Sequence, residues 1–290
     1  MKNIDTKPRR WGIWAHTQLD AGNRHGEGHD ENFWAYCPIN PDSRFPRGYD
    51  VLYGLVNNMS YRPDYDAGLM KIKYTRRVGK IGMDSHAGWV ATVNATDGYL
   101  FAHRFTYEPD RPYPDDSSVE FWLNGLGEFV AWGKINTSPE DPKETPYVFE
   151  SEVLSPFVNL QPGAEYTYHY DWYTARIPPD CEVVSCNDIG AVCEPLSARI
   201  DNGALLLNGK FGVFHRGLVH INLLDEQGKA IAFEARKISV SPLKAFELRD
   251  YTVTCSQTQA QASAKTIRLT VYNDEGHLIG KLTETMVVTD

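Results

Sequence analysis

Trp14, His16 and Gln18 recur at every second position near the start of the chain. On a β-strand, residues so spaced share one face about 6.6 Å apart, which sets an aromatic ring beside two polar groups. That mixture suits a sugar, because the ring covers an apolar CH face while polar groups fix the hydroxyls. As a residue type alone, His16 fits a hydrogen-bonded structural histidine just as well. Glu150 and Glu152 share the same spacing far along the chain. Two carboxylates on one strand face can hold their pKa values apart or position a water; they can equally face solvent.

A second cluster is cationic. The run KIKYTRRVGK, Lys71 to Lys80, holds five basic residues in an acidic protein. Arg76 or Arg77 can grip a carboxylate through two N–H groups, and Lys80 closes the run. His86 and Trp89 follow, and the strand-like Phe101-Ala102-His103-Arg104-Phe105 adds a histidine–arginine pair. Arg77, Lys80, His86, Trp89, His103 and Arg104 would therefore suit uronate handling. The alternative is a solvated edge strand guarded by lysines.

His25, Glu27, His29, Asp30 and Glu31 are metal-competent residues in a glycine-rich stretch, but they match neither HExxH nor an EF-hand. Cys181, Cys186 and Cys193 lie further apart than the paired cysteines of a zinc ribbon. With Cys37 and Cys255 they make an odd total of five, which fits buried or idle reduced thiols better than a disulfide framework. No metal and no cofactor is expected. GxGxxG, GxxxxGK[ST] and GxSxG are absent, so nucleotide, P-loop and nucleophile-elbow chemistries have no sequence support.

The elements that must position these residues read as strands. Aromatic content is high, glycines and prolines punctuate short alternating runs, and no long amphipathic helix is present. Alternation is clearest over Glu165 to Trp172, with Tyr166, Tyr168, Tyr170 and Trp172 on one face. It recurs in Val119, Phe121 and Leu123, in Val219, Ile221 and Leu223, and in Ile267, Leu269 and Val271. Turns are expected at Asp201-Asn202-Gly203, Asn208-Gly209, Asp225 to Gly228 and Asn273 to Gly276, and long loops between Asp20 and Asp50. The polar stretch 256–265 reads as a loop between the last strands. A break over Thr174 to Pro179 divides the chain into residues 1–174 and 175–290, the second fitting an immunoglobulin-like β-sandwich in size and pattern. At 290 residues two cores are more economical than one.

The net charge of −9 disfavours nucleic acid and anionic membranes as partners, and no stretch approaches the length of a membrane span. The opening MKNIDTKPRRWG holds no signal-peptide core, so the sequence as written reads as cytoplasmic, short of a leader already removed.

The segment Arg10-Trp11-Gly12-Ile13-Trp14-Ala15-His16-Thr17-Gln18 resembles the histidine-ending strand of galactose-mutarotase-like (aldose 1-epimerase-related) proteins. The segment from Tyr147 to Pro156, followed by Leu160-Gln161-Pro162-Gly163, is similar to that family's glutamate-bearing strand and the turn after it. The likeness spans about residues 1–173 and looks most like an uncharacterised bacterial branch. It implies an all-β fold, a mutarotase-like β-sandwich followed by the immunoglobulin-like one. It further implies that His16 protonates a sugar ring oxygen while a glutamate, Glu152 in preference to Glu150, takes the anomeric hydroxyl proton. Such a family domain has many strands ahead of the matching segment, so the sandwich reads as partial, with open sheet edges that favour self-association. The expected function is sugar binding with epimerase chemistry and a sugar or oligosaccharide partner, acidic ones included. A polysaccharide lyase acting on uronates, or a non-catalytic glycan-binding module, are the alternatives.

Overall fold

The computed structural model describes residues 1–201, 204–231, 237–253 and 264–289. Asn202, Gly203, Cys255 and positions 256–263, for which a turn, a thiol and a loop were expected, lie outside the described residues. The described residues are all-β, with one short 3₁₀ turn at Pro114–Asp116. It divides into two compact units, Met1–Thr96 with Ala102–Trp172, and Asp97–Phe101 with Tyr173–Asp290. The division falls between Trp172 and Tyr173, beside the boundary read after Thr174.

The strands of the first part are β1 (Arg9–Trp11), β2 (Trp14–Asp20), β3 (Phe33–Pro38), β4 (Asp50–Gly54), β5 (Tyr61–Asp64), β6 (Leu69–Lys73), β7 (Gly79–Met83) and β8 (Trp89–Asn94). They continue with β9 (Tyr99–Phe105), β10 (Val119–Leu123), β11 (Glu128–Ala131), β12 (Lys134–Thr137), β13 (Val148–Leu154), β14 (Val158–Leu160) and β15 (Tyr170–Arg176). One sheet has the order β2-β13-β10-β7-β4 and the other β15-β9-β8-β3-β6-β5. Phe121, Leu123, Phe149, Val153, Ile81 and Met83 from the first sheet meet Phe33, Ala35, Met70 and Ile72 from the second in one dry core. Two sheets burying their inner faces against each other make a β-sandwich. Strand alternation does this work: each core residue of β10 and β13 is flanked by residues on the opposite, outer face. β2 and β4 are the edges of the five-stranded sheet.

The strand expected from Glu165 begins only at Tyr170. Residues 165–169 keep the alternation, with Tyr166 and Tyr168 half-buried and their neighbours exposed. Their backbone turns instead to the chain start, where the Tyr166 N–H donates to the Met1 carbonyl at 2.9 Å.

The second unit contains β16 (Ser185–Cys186), β17 (Gly190–Asp201), β18 (Ala204–Val213), β19 (Gly217–Leu224), β20 (Lys237–Val240), β21 (Phe246–Val253), β22 (Thr266–Tyr272) and β23 (Leu278–Thr289). The ladders run β20-β19-β22-β23 and β17-β18-β21, joined by parallel pairing of β23 with β17. Leu207, Phe211, Val219, Ile221, Ile267 and Leu269 are among its core. Asp225 to Gly228 and Asn273 to Gly276 are turns, each closed by a hydrogen bond of 3.0 Å. Asn208-Gly209 is not a turn. It lies inside β18 at a register shift against β21, and a Cβ on Gly209 would come within 2.5 Å of the Phe211 ring. The glycine serves a bulge and a close ring contact, the other common use of glycine in a strand.

Candidate functional site on the outer face of the five-stranded sheet

The register of the five-stranded sheet brings distant residues to one face. His16 on β2 stands opposite Glu152 on β13, and Gln18 opposite Glu150. Glu152 stands opposite Glu120 on β10 and Glu150 opposite Trp122. Trp122 faces Lys80 on β7, which faces Tyr53 on β4. All point away from the core, because their strand neighbours fill it.

At the centre of this face lies a buried ionic cluster. The Lys80 ammonium donates to Glu120 Oε2 at 2.6 Å and to Glu152 Oε2 at 3.0 Å. The Trp14 indole N–H donates to the same Glu152 oxygen at 2.5 Å, and the Lys80 Nζ sits 4.6 Å from the centre of the Trp14 ring. Glu152 is 0% and Glu120 2% exposed, whereas Trp14 is 54% exposed. The tryptophan therefore roofs the cluster while offering a ring to solvent. Ser117, following the 3₁₀ turn, packs against Gly82 beside Glu120, where a Cβ would lie 2.2 Å from the Ser117 hydroxyl.

Electrostatics follow from burial. Desolvation pushes Glu120 up to about 8 against the opposing pull of Lys80, and raises Glu152 against Lys80 and the Trp14 N–H. Burial alone would lower Lys80, but Glu152 and Glu120 outweigh it and hold the ammonium above its ordinary value. Oε1 of each glutamate is buried and accepts no hydrogen bond. Two carboxylates and one ammonium carry a net negative charge when fully ionised, and uptake of one proton neutralises the cluster.

Around it, His16 is exposed and its ring centre lies 5.2 Å from that of Trp14. The Gln18 amide donates to Glu150 at 2.8 Å. Trp122, Tyr53 and Phe129 form an edge-to-face trio with centres 5.4 to 6.4 Å apart. The structure thus brings together Trp14, His16, Gln18, Lys80 and Glu152. The alternation of Val119, Phe121 and Leu123 implied that Glu120 and Trp122 face outward, but nothing in β10 by itself indicates that Glu120 is buried beside a lysine.

The remaining residues lie elsewhere. The basic run does not make one cationic surface, because Lys71 and Lys73 belong to β6 and Lys80 to β7, strands of different sheets. Lys71 pairs with Asp64 at 3.1 Å, Lys73 lies 5.7 Å from the Trp34 ring, and Arg76 donates to the Glu140 carbonyl at 2.7 Å. Arg77 is exposed in a depression of about 450 Å³ with Leu55, Met59 and Leu126. Lys80 is not a surface lysine on an edge strand, since β7 lies between β10 and β4.

His103 is fully buried between the sheets, its Nε2 3.1 Å from the Thr17 hydroxyl on the core side of β2. Burial lowers it to about 4, so it is a neutral imidazole at physiological pH. Trp89 is buried in β8, and Arg104 donates to the Gly88 carbonyl at 2.7 Å. His86 is exposed near Tyr107, which stacks on Tyr113 at 5.3 Å. Those two tyrosines wall a small pocket of about 210 Å³ with Arg44, Arg111 and Asp84. Arg44 is bonded to Asp116, and Arg111 to Glu108.

In the glycine-rich loop, Asp30 accepts from the Asn32 N–H and the Thr96 hydroxyl, both at 2.7 Å, which anchors the loop. Among the described residues no group of three or more His, Cys, Asp or Glu side chains is placed to hold a metal ion, and no helix is long and apolar enough to cross a membrane.

The buried groups impose opposite pH trends on stability. Glu120 and Glu152 bind protons more tightly folded than unfolded, so their stabilising contribution is complete below their ordinary pKa and lost as pH rises, for Glu120 through about 8. His103 is the reverse: its contribution is complete above the ordinary histidine pKa and lost as pH falls toward about 4. Above about pH 6.5 the contribution of His103 is already complete, while Glu120 still titrates toward about 8. Amide exchange in β10 and β13 should therefore quicken between pH 6.5 and 8.5, after correction for intrinsic rates, and Glu120→Gln should flatten that slope. An unchanged slope in the variant would show that Glu120 does not titrate across this range.

Comparison with family models, curated proteins and solved structures returns no match.

Proposed function

We propose that the chain is a carbohydrate-recognition protein of galactose-mutarotase-like build that holds a neutral sugar on the outer face of its five-stranded sheet. The observation that carries this reading is Trp14: a ring half open to solvent whose N–H is anchored to a buried carboxylate and whose other side is backed by an ammonium. An aromatic platform already fixed in place loses little freedom when a sugar ring stacks on it. His16, Gln18 and Glu150 lie beside it to address hydroxyls, and the Trp122 trio extends the apolar wall.

The charge of the face favours neutral over acidic sugars. Its one lysine is already bonded to two glutamates, and the other groups proposed for uronates are dispersed. A lyase needs a free cation beside the substrate carboxylate, and among the described residues of this face Lys80 is bonded to two glutamates instead.

Epimerase chemistry is the second reading, supported by His16 and Glu152 standing opposite each other on one face. Glu152, however, is sealed beneath Trp14, and the indole must swing away before that carboxylate can take a sugar proton. Binding without turnover is therefore the primary reading. The second unit, in which the ladders β20-β19-β22-β23 and β17-β18-β21 share one core, supports an immunoglobulin-like structural module.

The test is a screen of neutral and uronate-containing oligosaccharides against the full chain, followed by titration of tryptophan fluorescence. A neutral glycan should bind and perturb the emission. Binding lost in Tyr107→Ala but kept in Trp14→Ala would move the site to the tyrosine pocket, and tighter binding of uronates would refute the neutral-sugar assignment. Polarimetric mutarotation of glucose and galactose that disappears in His16→Ala and Glu152→Gln would promote the epimerase reading.

A further inference from the structure

β11 and β12 form a two-stranded sheet of their own, a hairpin closed by Trp132 and Gly133. Both turn residues have positive φ, 51° and 71°, which is the type I′ geometry of a two-residue hairpin. Asn-Gly or Asp-Gly is the preferred pair in such a turn, and a bulky residue at positive φ is an outlier. The sequence nonetheless sets a tryptophan there, 90% exposed at the tip.

The hairpin has two unlike faces, because side chains alternate along β11. Phe129 turns to Tyr53 and Trp122, and Ala131 on the same side is buried. Glu128 and Val130 share the other face, where the register sets Thr137 and Ile135 across from them. All four are exposed. At its base this face meets the depression of about 450 Å³ lined by Leu55, Met59, Arg77, Leu126 and Glu128, of which Leu55 and Met59 are exposed apolar side chains. One face therefore runs from an open apolar depression, over Val130 and Ile135, to Trp132. Glu128 and Trp132 are four residue steps apart, about 13 Å along a strand, so the tryptophan does not fill the depression of its own chain.

We propose that this face is a self-association surface, on which a second copy of the chain docks antiparallel about a two-fold axis, each copy's Trp132 seated in the other's depression. The choice of occupant follows from complementarity carried by one chain. Knob and hole lie at opposite ends of a single face, so an axis through its middle lays each tip over the other copy's base, the self-complementary arrangement of an isologous dimer. Val130 and Ile135 then meet their counterparts near the axis. The depression supplies what an indole needs: Leu55, Met59 and Leu126 for the ring, the Arg77 guanidinium for its π face, and the Glu128 carboxylate to accept its N–H. Phe129 belongs to the opposite face, so this contact is separate from the sugar site proposed above. One hairpin and one depression per copy make a small interface, and a weak dimer that grows with concentration is expected.

Sedimentation equilibrium of the full chain from about 1 to 300 µM should show a mass rising from one chain toward two. Trp132→Asn should weaken the association at least tenfold. Because Asn-Gly suits the turn better than Trp-Gly, that loss does not come from an unfolded hairpin. Met59→Lys, which places an ammonium in the depression, should weaken it to a similar extent. An equimolar mixture of the two variants is the decisive sample: Trp132→Asn keeps the hole and Met59→Lys keeps the knob, so a mixed pair regains one of the two contacts and should associate more tightly than either variant alone. A parent that stays monomeric at the highest concentration, a dimer that survives Trp132→Asn, or a mixture no tighter than its components would each overturn the assignment.

Discussion

Replacing Lys80 by methionine will destabilise the first unit by about 3–5 kcal/mol at pH 8, the cost typical of removing one partner from a buried ion pair. The methionine fills similar volume, so the loss arises from charge. Glu120 and Glu152, at 2% and 0% exposure, are left without the ammonium that neutralises them. Each then ionises in low dielectric or stays protonated at pH 8, and both options are unfavourable.

The pH dependence separates this cause from a packing defect. Burial already raises both carboxyls in the parent protein, and loss of the ammonium raises them further, so protonation at pH 5 should shrink the destabilisation by more than half. Adding Glu120→Gln and Glu152→Gln should restore most of the stability at pH 8. Because the chain has two compact units, a single unfolding midpoint is not a safe readout. Amide exchange in β7, β10 and β13 reports the first unit directly. An equal loss at pH 5 and pH 8 would show that Lys80 contributes through its packing.

The second large effect concerns recognition. Trp14→Ala should weaken binding of the neutral glycan at least tenfold, about 1.4 kcal/mol or more, because the stacking platform disappears. Trp14→Phe separates the ring from its anchor. It keeps an apolar ring but cannot donate to Glu152, so affinity should fall by only a few-fold while the glutamate loses a hydrogen bond that favours its charged form. Glu152→Gln retains an acceptor for the indole and should bind glycan nearly as the parent does if Glu152 only positions Trp14. If both Trp14 variants bind as the parent, the sheet face is not where the sugar sits.

Much of this face was legible one strand at a time. Trp14, His16 and Gln18 had to share a side of β2, and Glu150 and Glu152 a side of β13, because side chains alternate along a strand. The register that sets His16 against Glu152 was not legible, since pairing depends on which strands meet. Glu120 was missed for the same reason: its outward direction follows from Phe121 pointing inward, but its ion pair with Lys80 depends on another strand of the chain. The basic run misled because proximity in sequence was taken for proximity in space. A turn between β6 and β7 sends its lysines to two different sheets.

By itself the sequence determined an all-β chain whose strands each have an inner and an outer side, because the hydrophobic period is a local property that burial must satisfy. Only the tertiary structure decided which outer sides became a site. Charge burial and pKa shifts depend on groups brought together by strand order and register, and those are set by the fit of two whole sheets rather than by any one segment.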